Sequence, residues 1–103
     1  IKQVIINILK NSKEARDINK DNLTIKIKTR ITKLYFKIII EDNGIGMDQD
    51  TLRQVMDLFF TTKRNGTGLG TSLSKEIVEL HGGNIKYLSE LNKGTTVIVS
   101  LPL

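Results

Sequence analysis

Ile38-Ile39-Ile40-Glu41-Asp42-Asn43-Gly44-Ile45-Gly46-Met47 decides the fold of this 103-residue chain. Three consecutive isoleucines lack the apolar-polar alternation of a strand with one wet face, so they predict a strand at the centre of a sheet. The strand closes on acidic residues and then on glycines at alternate positions, Gly44 and Gly46. Glycine there lets the backbone pass close to a flat ligand or take positive φ. Asp42 projects from the strand end toward whatever is bound, and a carboxylate can accept from an exocyclic amine such as that of adenine. The same residues also suit an ordinary Asn-Gly turn capped by Asp42.

Upstream, two alternating β-branched stretches, roughly Leu23 to Arg30 and Leu34 to Glu41, are separated by a connection short enough for an antiparallel hairpin. Before them Ile1, Val4, Ile5, Ile8, Leu9 and Ala15 recur at helical spacing and predict an amphipathic helix to about Arg16, broken by Asp17 to Asn22. Downstream, Asp48 is a good N-cap for a short helix to about Asp57, followed by an irregular stretch rich in Thr, Lys, Asn and Gly that is expected to be mobile. A second long helix begins near Gly70, carries Leu73, Ile77, Val78 and Leu80 inward, and ends at Gly82-Gly83, a pair able to take left-handed C-cap geometry. Two last strands, about Asn84 to Ser89 and Thr95 to Leu101, are joined by a turn at Asn92 to Gly94. This order predicts an α+β fold, a two-layer sandwich with helices on one face of a mostly antiparallel, mixed sheet. The length suits one domain and one core.

Hydrophobic residues at 39% and charged residues at 26% are ordinary for a soluble domain, and no apolar run is long enough to span a bilayer. With no cysteine and a single histidine, His81, thiolate and histidine-rich metal sites are excluded, so any metal must be a hard ion held by oxygen. The net charge of +5 is scattered along the chain. Lys26, Lys28 and Arg30 alternate with Ile25, Ile27 and Thr29 as a solvated strand face would, and interleaved aromatics are lacking, so a nucleic-acid surface is not expected.

Asn7 and Asn11, one helical turn apart, project from one face of the first helix. Their amides are neutral oxygen donors of the kind that suits a magnesium ion still holding waters and phosphate, although exposed helix amides need no ligand. Gly66-Thr67-Gly68-Leu69-Gly70 leads into the second long helix, where free backbone N–H groups and the helix dipole favour phosphate. It follows no βαβ strand and lacks the Lys-Ser/Thr of a P-loop, so neither of those arrangements applies.

In order and spacing these segments together resemble the Bergerat-fold ATP-binding domain of histidine kinases, in the superfamily shared with gyrase B, over nearly the whole chain. The nearest resemblance is to the nitrogen-regulation and sporulation kinases. Gln3 to Ser12 looks like the N box, Asp42 to Gly46 the first glycine box and Phe59-Phe60-Thr61-Thr62-Lys63 the F box. Gly66 to Gly70 is similar to the second glycine box, His81-Gly82-Gly83 to the helix end after it, and Gly94-Thr95-Thr96 to the final box.

The resemblance implies Mg-ATP as ligand. Asp42 would take the adenine amino group, supported through water by Thr96, with Gly44 and Gly46 admitting the ring. Asn11 would be the magnesium ligand and Asn7 a polar partner to phosphate or metal-bound water. Gly66, Thr67, Gly68, Leu69 and Gly70 would hold the phosphates, and Lys63 would reach the γ-phosphate from a lid over about Asp48 to Thr67, anchored by Phe59 and Phe60. His81 would be a helix-terminal packing residue, the phospho-accepting histidine lying on a separate dimerisation domain. The sister ATPases carry a glutamate where this chain has Asn7, and an amide cannot activate water as a general base.

Thr71, Leu58 and Ser12 depart from the family pattern, which bears on where the lid sits. The resemblance also implies that the chain begins inside the N box, as an N-terminally truncated catalytic domain of a cytoplasmic kinase portion, whether or not the parent is anchored to a membrane. Alone it is expected to be a monomer without autophosphorylation. Its parent is expected to be a homodimer with a response regulator downstream. Two other readings share the nucleotide contacts: an anti-sigma-factor serine kinase of the same fold, and a module in which ATP only orders the lid for a partner.

Overall fold

In a computed structural model the three isoleucines lie in β2 (Tyr35–Asp42), which is paired along both edges. Its neighbours are β1 (Ile25–Ile31) and β4 (Gly94–Pro102), and β3 (Asn84–Glu90) completes the order β1-β2-β4-β3. The structure describes residues 1–17, 22–54 and 69–103. Among these all three strand pairings are antiparallel. The remaining elements are α1 (Lys2–Glu14), α2 (Gln49–Gln54) and α3 (Leu69–Leu80). The α+β sandwich expected from the sequence is thus present, and no helix among the described residues is long and apolar enough to cross a membrane.

Register explains the core. Ile40 lies opposite Ile27 on one side and Val97 on the other, and Ile38 opposite Val99, so these side chains share one face of the pleat. Val4 and Ile8 of α1 and Val78 of α3 close over that face, and the six residues Val4, Ile8, Ile40, Val78, Val97 and Val99 are buried together. Ile85 and Tyr87 of β3 pack against them. Burial pushes the Tyr87 phenol up to about 12, because its ionised form would lose water without gaining a partner charge. On the opposite face Lys26, Lys28 and Arg30 are exposed, as the alternation predicts, and Lys28 Nζ lies 3.7 Å from Glu41.

The helices lie over β2, β4 and β3. Ile27 and Ile31 on the inner face of β1 are therefore 55% and 71% exposed. Two expected inward residues of α3 also differ: Leu73 is 45% and Leu80 85% exposed. The inward stripe is Ser74, Ile77 and Val78, which fits helical spacing, whereas Leu80 lies half a turn round from Val78. Ser74 is 1% exposed and Ser12 of α1 is 3% exposed, and among the described residues no buried side-chain nitrogen or oxygen lacks a partner.

The helix ends follow their sequence signals. Asp48 Oδ1 accepts from the Thr51 N–H at 2.8 Å and caps α2, and that bond holds the Asp48 carboxyl below its ordinary value. The predicted continuation of α2 to Asp57 lies outside the described residues. At the end of α3 the Gly82 N–H donates to Glu79 O at 2.9 Å and the Gly83 N–H to Val78 O at 3.0 Å. These two bonds with Gly82 at φ 78 make a Schellman cap.

Candidate functional site

The C-terminal end of β2 carries three of the sequence-predicted residues, Asp42, Gly44 and Gly46. Asp42 shares the helix-covered face with Ile40, and its Oδ1 accepts from the Gly44 N–H at 2.9 Å and from the Thr95 N–H at 3.3 Å. With Oδ1 held by two backbone donors, Oδ2 carries neither bond. Asn43 looks the other way: its side chain accepts from the Thr24 N–H at 2.8 Å and donates to Asn22 O at 2.9 Å. In the Asp-Asn-Gly triplet the aspartate therefore lies on the helix-covered face and the asparagine fastens the lead-in to β1.

The loop beyond Asp42 is tied down on two sides. Its Ile45 N–H donates to Ala15 O, just past α1, at 2.7 Å, and Ile45 O accepts from the Asn92 N–H in the β3–β4 turn at 2.6 Å. Gly46 has φ 71, and a Cβ there would collide with the Glu90 carbonyl. Only glycine meets both demands without displacement.

The bond to Ala15 sets the end of α1, and with it Asn11, against the loop that follows Asp42. Asn11 and Asn7 are both half-buried. Asn7 accepts from Gln3 Nε2 at 3.0 Å and donates toward Ser74 Oγ at 3.5 Å, so it faces α3. Leu69 and Gly70 open α3, close to the start near Gly70 expected from the sequence. Lys63, Gly66, Thr67 and Gly68, together with Phe59 and Phe60, lie outside the described residues.

Thr96 is not where its expected role needs it. It pairs with Glu41, so its side chain occupies the face opposite Asp42. Thr95 is the residue opposite Asp42 and shares its face. The two-residue period of the strand, counted back from Val97 and Val99, carries the signal that distinguishes them. A depression of about 320 Å³ at the same strand end is lined by Thr24, Lys26, Glu41, Asp42 and Asn43, of which Lys26 and Glu41 belong to the outer face.

His81 Nδ1 is 2.8 Å from Ile77 O, so the ring closes back on its own helix. That agrees with a helix-terminal role. Among the described residues no three His, Cys, Asp or Glu side chains cluster as a metal cage. The Asn11 amide oxygen, a neutral hard donor, suits magnesium that takes its remaining ligands from phosphate and water.

A family model described as histidine kinase-, DNA gyrase B-, and HSP90-like ATPase matches residues 1–103. The chain belongs to this ATPase family. Among curated relatives, sporulation kinase E of Bacillus subtilis strain 168 is 42% identical over the whole chain, which spans 14% of that kinase. The sensor protein DegM of Bacillus sp. strain B21-2 is 39% identical, again over the whole chain and 27% of that protein. A solved catalytic domain of histidine kinase ThkA superposes with a TM-score of 0.82 at 31% identity, covering 98% of this chain and 65% of that one. The chain thus spans only about a quarter or less of these curated sensor and sporulation kinases. Family membership fits the glycine-rich strand end of β2 and the opening of α3.

Proposed function

We propose that the chain binds Mg-ATP at the helix-side end of β2 and donates the γ-phosphoryl group to a histidine on a separate dimerisation domain of its parent sensor kinase. The observation that carries this reading is the fixing of Asp42, whose Oδ1 is held by the Gly44 and Thr95 N–H groups. Oδ2 is thereby oriented to accept from the amino group of adenine. Glycine at Gly46 keeps the loop low beside the base, and α3 supplies backbone donors and the positive end of its dipole to the phosphates.

Magnesium, bound through Asn11, would neutralise charge on the phosphates during transfer. Asn7 hydrogen-bonds Gln3 and Ser74 and, as an amide, cannot remove a proton from water. The γ-phosphoryl then awaits a nucleophile with its own lone pair, which a neutral imidazole provides. The resulting partners are the histidine-bearing domain, a second copy of the parent through that domain, and a response regulator that receives the group. Lys63, reaching from the lid, would add positive charge at the γ-phosphate.

The test is to incubate the parent protein with γ-labelled Mg-ATP and follow bound label in acid and in base. Label that is lost in acid, survives base and disappears with Asp42→Asn is expected. Acid-stable label on a partner's serine would assign the chain to the anti-sigma-factor kinases instead. ATP binding without transfer would leave a nucleotide-gated module.

A further inference from the structure

We propose that Ser89 is a positioning residue that makes the base end of the site select an amine-bearing purine, an inference that rests on the ATP-binding reading above. Ser89 sits in β3 opposite Thr95, half-buried and on the same face as Asp42. Three contacts converge on its hydroxyl: the Met47 N–H at 2.8 Å, Gly94 O at 3.0 Å and Thr95 Oγ1 at 2.8 Å.

A serine hydroxyl has one proton to give and two lone pairs to receive. Met47 N–H can only donate and Gly94 O can only accept. Ser89 satisfies all three partners at once in one arrangement: it accepts from Met47, gives its proton to the Gly94 carbonyl, and accepts the Thr95 proton. In the alternative, with Ser89 donating to Thr95, the contact to Gly94 O is lost. The arrangement with all three bonds commits the Thr95 proton to Ser89, so Thr95 has only lone pairs left for a further partner.

Beside it, Asp42 presents a carboxylate oxygen, also an acceptor. The Thr95 N–H that donates to Asp42 Oδ1 fixes the two groups relative to each other. Two acceptors side by side match a ligand edge that donates to them directly. The six-position of adenine, an amine, does so, whereas that of hypoxanthine or guanine is a carbonyl and would face acceptor against acceptor. Ser89 touches no ligand in this scheme. It acts by orienting the Thr95 hydroxyl and by holding the loop at Met47.

The experiment compares ATP with ITP, which differ at that position, by calorimetric titration of the full chain with magnesium present. The unmodified chain is expected to prefer ATP by at least about tenfold, in line with a lost hydrogen bond to a charged group. Ser89→Ala should weaken ATP about fivefold and ITP less than twofold, reducing the preference by more than about 2.5-fold. Ser89→Thr keeps the hydroxyl and should retain the original ratio. Should Ser89→Ala not melt cooperatively, Ser89→Cys, similar in size but a poor donor, is read in the same way. Equal weakening of both nucleotides, or an unchanged ratio, would overturn the proposal by reducing Ser89 to a structural role. Asp42→Asn separates the two readings. If it destroys the ATP preference while Ser89→Ala leaves it intact, only the Ser89 proposal fails; if neither ATP nor ITP binds the unmodified chain, both fail.

Discussion

Replacing Gly46 by alanine tests whether the loop after Asp42 is held in place by the β3–β4 turn. An added Cβ would overlap the Glu90 carbonyl oxygen and stand 2.8 Å from its carbon, where about 3.5 Å is needed for unstrained contact between carbons. The loop must retreat by about 0.7 Å or more. That displacement stretches the 2.6 Å bond from Asn92 N to Ile45 O and the 2.8 Å bond from Met47 N to Ser89 Oγ to the limit of hydrogen bonding. Two such bonds are worth about 2 kcal/mol together, and alanine in the left-handed region adds about 1–2 kcal/mol. A loss of about 3–4 kcal/mol is expected, a large share of the ~5–15 kcal/mol that typically holds a domain together. Urea unfolding followed by circular dichroism would show the midpoint falling by roughly 1–4 M. Gly46→Asn divides the two contributions, because asparagine tolerates positive φ but brings the same Cβ. It should lose about 2 kcal/mol, the share of the two bonds, and a loss below about 1 kcal/mol in Gly46→Ala would refute the clamp.

Two further outcomes concern the core. Ile40, 1% exposed between two strands and beneath α1, should cost about 2–5 kcal/mol when cut to alanine, read as a fall in the urea midpoint with unchanged slope. Tyr87 should make stability fall at high pH: its phenol is raised to about 12 when folded, so between about pH 10 and 12 the unfolded chain releases a proton that the folded chain keeps. The stability that neutral Tyr87 contributes is complete below pH 10 and declines at about 1.4 kcal/mol per pH unit above it, and Tyr87→Phe should flatten that part of the profile.

Strand and helix order was legible in the sequence because each element carries its own signal. The three isoleucines marked the central strand, Asp48 the start of α2, and Gly82-Gly83 the end of α3. What was not legible depended on partners distant in the chain. Thr95 and Thr96 are equivalent by composition, and register against Asp42 separates them. Leu80 looks like a core residue by hydropathy, but the helix turns Ser74, Ile77 and Val78 inward and Leu80 out, and Ser74 then meets Asn7 of α1. Ser89 carries no motif. Its importance arises only when Met47, Gly94 and Thr95 meet around one hydroxyl.

The pairing of β2 with β4 joins Asp42 to Thr95 across more than half of the chain. During synthesis from the N-terminus, the hairpin of β1 and β2 can form while the ribosome still holds the rest, yet Asp42 then has no second strand to fix its carboxylate. The Thr95 N–H bond to Asp42 forms only when β4 inserts between β2 and β3. On the ATP-binding reading proposed above, a chain lacking β4 is expected not to hold ATP, because Thr95 is then missing from the side of Asp42.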